Sequence, residues 1–218
     1  MIQPRGQPPR GFSMDQKGTA MAFHFFAYIN RMKYISRWGL MRNTRPENDT
    51  EHSQQAAMIA HALALIANRR YGGQYDPGYV MALALYHDAS EVITGDMPTP
   101  VKHNNPAIRQ EYGRLEQIAN EKLLSLLPRD LREDYRPLIQ HDETTAEWRL
   151  VKAADKISAY IKCVEEKKAG NLEFENAAYT IRSSIDRIDL PEVKDFMREC
   201  VPSFGLTLDE ISEGTELG

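Results

Sequence analysis

The sequence predicts an all-α protein, and three observations carry that expectation. No stretch alternates polar and apolar residues with period two over the length of a strand. Apolar residues instead recur at steps of three and four, which places them on one face of a helix. The stripes are punctuated by helix chemistry, with Asp76-Pro77 and Asn105-Pro106 at starts and Gly72 and Gly170 at ends. With 42% hydrophobic and 27% charged residues in 218 positions, the chain can build one sizeable core. One domain is expected over residues 19–218. Residues 1–18, rich in Pro, Gly and Arg, offer nothing to bury and read as a flexible tail.

The first helix is expected from about Thr19 to Arg37, carrying Phe23, Phe25, Phe26, Tyr28 and Tyr34. A second starts at Asp49 or Thr50, either of which can cap it, and ends at Tyr71-Gly72-Gly73. Its inward stripe is Ala56, Ile59, Leu63 and Ile66. The third, from Asp76-Pro77 through Val80-Met81-Ala82-Leu83-Ala84-Leu85, is apolar on nearly all sides and belongs at the centre. Gly95, Pro98, Pro100 and Pro106 then make a loop. A fourth helix follows with Ile108, Leu115, Ala119, Leu123 and Leu126 on one side. A shorter one is expected near 129–140, a long one over about 146–169, and two more over roughly 173–188 and 191–200.

Lys+Arg 27 against Asp+Glu 31 leaves a net charge of −4, which argues against a broad surface for a nucleic-acid polymer. No apolar run approaches the ~20 residues of a membrane span, and the N-terminus has no hydrophobic region of a signal peptide. Cys163 and Cys200 sit in amphipathic segments and suit reduced thiols. A cytoplasmic, membrane-free protein is the expectation.

The chemistry shows as polar residues on core-facing positions. His52 lies on the stripe of Ala56; His87-Asp88 interrupts the apolar third helix at its C-terminal end; Asp155 shares a stripe with Trp148, Val151 and Ser158. A carboxylate facing inward costs several kcal/mol unless it is paired or bound to a metal. Two imidazoles and two carboxylates on three helices suit Mn, Fe, Co, Ni or Zn rather than calcium. Glu91 lies over the same face, four residues from His87, where it can take a proton from water without being a ligand. Plainer readings stand beside this one. Asp155 could pair with Lys152, and His24, His61, His103 and His141 read as hydrogen-bonded core residues.

The spacing His52 … His87-Asp88 … Asp155 in a helical chain resembles the HD-domain phosphohydrolase superfamily. The strings SRWGLMRNTRPENDTEHS, ALYHDASEVITGDMPTPVK and KAADKISAYIKCVEE resemble, more narrowly, its bacterial 5'-deoxynucleotidase family, over about residues 20–214. That resemblance implies an HD-type helical bundle in which His52, His87, Asp88 and Asp155 hold one divalent ion, cobalt or manganese, in a buried central site. It implies that Glu91 handles the attacking water and that Arg37 orients the phosphate. Asp96 would contact the sugar, and Thr99, Pro100, Val101 and Lys102 would line the nucleotide site. Trp38 would pack where a ribose 2'-hydroxyl projects. It implies deoxyribonucleoside 5'-monophosphates as substrates and a homodimer.

Read from residue type alone, Arg37 is a surface ion pair, Lys102 a solvated loop charge, Trp38 a core residue and Asp96 a turn former after Gly95. Two other functions compete. One is an HD phosphohydrolase for triphosphates, cyclic dinucleotides or alarmones, which would want more cations than Arg37, Lys102, Arg42 and Arg45. The other is a non-catalytic nucleotide-binding module.

Overall fold

The computed structural model describes residues 22–98 and 105–213, and every regular element among them is helical. Helix α1 (Phe25–Ile29) tightens into a 3-10 turn over Asn30–Tyr34, and the chain is extended at Ile35. This corrects the single long helix expected to Arg37. The backbone bonds that a helix would need go instead to a distant segment. Asp49 N donates to Ile35 O (3.1 Å) and Arg37 N to Glu47 O (3.0 Å), around an isolated antiparallel bridge between Ser36 and Asn48.

Helix α2 (Asp49–Tyr71) is capped by Asn48, one residue before the expected cap. The Asn48 side chain accepts from Thr50 N (3.0 Å) and Glu51 N (3.1 Å), while Glu51 accepts from Asn48 N (3.3 Å), a reciprocal box that satisfies the free donors of the first turn. Gly72, at φ +70°, closes the other end in a conformation that only glycine adopts freely.

Helix α3 (Pro77–Tyr86) starts under Asp76, whose carboxylate accepts from Gly78 N and Tyr79 N. It is not submerged on all sides as expected. Val80, Leu83 and Ala84 are buried, whereas Met81 and Leu85 are 41% and 42% exposed. A turn leads from it to α4 (Glu91–Thr94), and then α5 (Pro106–Ser125) begins under Asn105. Only the second half of α5 packs as predicted. Ala119 and Leu123 are buried, but Ile108 and Leu115 are exposed, and Tyr112 and Leu124 fill the interior in their place. In the first half Tyr112 turns inward instead, its Oη bonded to Gly95 O, and the expected stripe of Ile108 and Leu115 stays exposed.

Helices α6 (Arg132–Ile139), α7 (Ala146–Lys168), α8 (Glu175–Asp186), α9 (Pro191–Glu199) and α10 (Leu208–Glu213) complete the described chain. The larger core cluster joins α2, α3, α7 and α9 through residues such as Ile59, Leu63, Leu83, Val151, Ile157 and Phe196. Each such side chain contributes about 1.5–3 kcal/mol by leaving water. A second cluster brings Phe25 of α1 onto Ala89, Leu123, Leu127 and Ile139. Residues 87–88 lie between Ala84 of the first cluster and Ala89 of the second, so the turn that carries them is held from both sides. No helix among the described residues is long and apolar enough to cross a membrane. The tail expected over 1–18, and Thr99, Pro100, Val101, Lys102 and His103, lie outside the described residues.

Candidate metal centre and recognition loop

Three helices aim their polar exceptions at one point. His52, one turn into α2, His87 at the C-terminus of α3, and Asp155 in the middle of α7 place one ligand atom each within 4.8 Å of one another. Asp88 joins them. The His87 Nε2 to Asp88 Oδ2 distance is 3.1 Å, His52 Nε2 to Asp155 Oδ1 is 3.3 Å, and the crossed pairs are 3.7 and 3.9 Å. Distances of 3.1–3.9 Å are short enough for these atoms to bind one shared ion at about 2.1 Å each.

The imidazoles are pre-set for this. His87 Nδ1 donates to Ala84 O (2.7 Å), leaving Nε2 with its lone pair toward the carboxylates. Ser158 Oγ donates to Gln55 Oε1 (2.7 Å), so it accepts from His52 Nδ1 (3.1 Å), and His52 Nε2 likewise faces the centre as an acceptor. Both Nε2 atoms are buried without a well-aligned hydrogen-bond partner in the protein. Orphaned nitrogens of that kind are costly unless something electrophilic sits among them. The donor set therefore fits a divalent transition-metal ion.

Charge around the centre points the same way. Burial pushes the Glu91 carboxyl up to about 10, reinforced by Asp88, Asp49 and Asp96. Asp49, fully buried at the start of α2, is raised to about 7 by burial and by Asp88. Burial opposes ionisation of Asp88 and Asp155 too. For Asp88 the neighbouring His87, His52 and Arg37 overrule it, and for Asp155 chiefly Lys152 and the two histidines do. Lys152 Nζ is 2.6 Å from Asp155 Oδ2, so the plainer pairing of Asp155 is present beside the metal-type geometry, using its other oxygen. Burial lowers the His52 pKa, whereas His87 is raised, Asp88 and Asp155 outweighing burial. So many carboxylates in one pocket favour a cation.

Arg37 comes from the segment before α2. Its Nη1 lies 3.4 Å from Asp88 Oδ2 and its Nε 3.3 Å from Glu47 Oε2. Burial disfavours its charge, but Asp88, Asp155, Glu47 and Glu91 raise its pKa, so it stays a cation. The surface ion pair expected from residue type is thus largely buried. Trp38 follows at φ +57°, the one non-glycine with positive φ among the described residues, in a conformation that costs a bulky side chain about 1–3 kcal/mol. It is held by Phe174, with ring centroids 5.3 Å apart, and by its Nε1–H to Glu47 Oε2 at 3.0 Å. Farther along, Glu166 of α7 accepts from Thr44 N, Thr44 Oγ1 and Arg45 N at 2.7–3.2 Å and pairs with buried Lys162. That pins the loop against α7.

Arg37, Trp38, His87, Asp88, Glu91, Asp96 and Asp155 line one open cleft of about 1910 Å³. Asp96 reaches it because Gly95, at φ +75°, turns the chain after α4, and Tyr112 Oη donates to Gly95 O (3.1 Å). His141 also lines this cleft, stacked on Trp148 at 3.5 Å and 15°, which corrects its reading as a hydrogen-bonded core residue: its Nδ1 has no partner. Glu47, Asp49 and His141 are the residues that sequence reasoning missed. The Asn-capped start of α2 was the one available signal for Asp49.

Comparison with known proteins follows this geometry. A family described as 5'-deoxynucleotidase YfbR-like matches residues 24–204. A 5'-deoxynucleotidase of Photorhabdus laumondii is 51% identical over 190 residues, spanning 87% of this chain and 96% of the relative. One from Erwinia tasmaniensis is 51% identical over 191 residues, with the same coverage of each chain. Among solved structures, an HD-domain phosphohydrolase from Listeria innocua superposes with a TM-score of 0.69 at 23% identity, covering 84% of this chain and 90% of that one. A cyanophage S-2L HD phosphohydrolase, bound to dA and one catalytic Zn2+ ion, gives 0.59 at 19% identity, covering 83% and 96%. At such identities the structural neighbours speak for the HD fold, and the sequence relatives settle the narrower placement: this chain belongs to the YfbR-like 5'-deoxynucleotidase family.

Proposed function

We propose that the chain hydrolyses deoxyribonucleoside 5'-monophosphates to deoxynucleoside and phosphate, with His52, His87, Asp88 and Asp155 holding one divalent ion. The observation that carries this is the pair of orphaned Nε2 atoms, each fixed from behind through Nδ1 and facing Asp88 and Asp155. Those four residues would hold the ion, which would supply Lewis-acid chemistry there, lowering the pKa of water toward about 7 and polarising a phosphoryl oxygen. Cobalt or manganese is our assignment for it, from the family resemblance; the mixed nitrogen and oxygen donors suit Fe, Ni and Zn as well.

The remaining work falls to side chains. Glu91, buried beside Asp88 and facing the same cleft, accepts the proton of the attacking water, because a cation held among the carboxylates would offset the charges that otherwise keep its carboxyl protonated. Arg37 keeps its charge and offers a planar fork to phosphate oxygens. Trp38 excludes a ribose 2'-hydroxyl by collision, a discrimination by misfit rather than attraction. Asp96 accepts a hydrogen bond from the sugar 3'-hydroxyl. Arg42 and Arg45, which a larger phosphorylated substrate would recruit, are instead tied to Glu173 and Glu51.

We place the enzyme in the cytoplasm, a reading supported by the free thiols of Cys163 and Cys200. A homodimer is supported by Met58, Leu65, Met81 and Leu85, apolar and exposed on α2 and α3. The test of function is phosphate release from dAMP, AMP and dATP side by side, with metal content measured on the same sample. Turnover of dAMP well above both others is expected. Equal turnover of dATP, or none of any, refutes the reading.

A further inference from the structure

The residues assigned to phosphate and to sugar are not independent. Glu47 Oε2 accepts from Arg37 Nε (3.3 Å) and from Trp38 Nε1 (3.0 Å), so a single carboxylate oxygen holds both side chains. The backbone repeats the link, since Arg37 N donates to Glu47 O at 3.0 Å. The Glu47 side chain is only 13% exposed, so its charge is partly desolvated and its bonds to the two donors are strengthened. Trp38 also needs such a tether. Its positive φ is a conformation that a tryptophan leaves unless surrounding contacts over-determine it.

We propose that Glu47 is a positioning residue for substrate selection: its one carboxylate oxygen holds both Arg37 and Trp38, so that phosphate affinity and discrimination against ribose are both lost when the side chain is removed. This rests on the roles given above to Arg37 and Trp38. Glu47 touches neither the four metal donors nor Glu91 by any hydrogen bond or ion pair in the structure, and it acts only through its two partners.

The experiment compares Glu47→Ala and Glu47→Gln with the wild type, measuring kcat and KM for dAMP and AMP and the bound metal per chain. Glu47→Ala should raise KM for dAMP about tenfold, the size of a lost hydrogen bond to a charged group, with kcat changed less. It should also shrink the dAMP-to-AMP ratio of kcat/KM by at least about fivefold, at unchanged metal content. Glu47→Gln keeps an acceptor oxygen for the indole but no charge for the guanidinium, so it should restore selectivity more than KM. Should Ala destabilise the fold, the Gln variant alone carries the test through that split. A variant that slows dAMP and AMP equally, with the ratio intact, overturns the proposal in favour of a purely structural Glu47. Loss of metal from Glu47→Gln overturns it too. Absence of any deoxyribose preference in the wild type is a separate outcome, which removes the functional reading itself.

Discussion

The cleft has two walls built on different principles. The wall that carries His52, His87 and Asp155 is built on α2, α3 and α7, with His87 on the turn that closes α3, and each of these side chains is fixed by a further bond, to Ser158, Ala84 O and Lys152 respectively. The wall that carries Arg37 and Trp38 belongs to no helix and is held by the backbone bonds around the Ser36–Asn48 bridge and by side chains: Glu47, Phe174, and Glu166 through Thr44 and Arg45. On the proposed roles, the difference teaches that coordination, which tolerates little displacement, would sit on rigid elements and recognition on a loop braced from behind.

If that contrast is right, damage to the two walls should look different. The largest effect belongs to His87→Ala, which removes one donor and uncovers Asp88. Bound metal and phosphatase activity should disappear together, as read by elemental analysis and phosphate release. Glu91→Gln comes next. It should lower kcat by about 10²–10⁴-fold with the metal retained, because proton transfer is lost but no donor is. Metal loss in that variant would make Glu91 part of the coordination wall.

Glu166→Ala tests the loop wall from its far side. Lys162 would be left buried without its partner, a loss of about 3–5 kcal/mol read in the denaturation midpoint, and KM should rise more than kcat falls.

The helical wall was readable from sequence because side-chain phase is local information. Spacing from Ala56 and from Val151 and Ser158 was enough to turn His52 and Asp155 inward, glycine marked the end of α2, and Asp76-Pro77 marked the start of α3, which leads to His87. The loop wall was not readable from periodicity. Glu47 matters because Ser36 bridges Asn48, a pairing between segments that no local pattern announces, and the same pairing ended the first helix early. Arg37 and Trp38 were found only through family resemblance. His141 was misjudged because its stacking on Trp148 depends on how the chain after α6 folds back onto α7, which spacing does not encode.

The smallest effect concerns pH and His141. Burial, with His87 adding to it, depresses its pKa to about 4 from an ordinary value near 6.5. The unfolded chain therefore takes up a proton over that interval while the folded one does not. Stability is present in full above about 6.5 and declines as pH falls to about 4. His141→Gln should flatten that slope in denaturation series between those limits. An unchanged slope would place the acid sensitivity on the coordination wall instead.

One detail of α3 limits how this protein can diverge. The ring of His87 closes its own helix by bonding the carbonyl of Ala84, so the residue proposed as a ligand doubles as the stop of the element that carries it. Adding or deleting a single residue between the two would swing the imidazole by about 100°. Length variation among descendants should therefore collect in segments such as 72–76 or 140–145, and residues 84–88 should tolerate replacement of exposed Leu85 but no change of register.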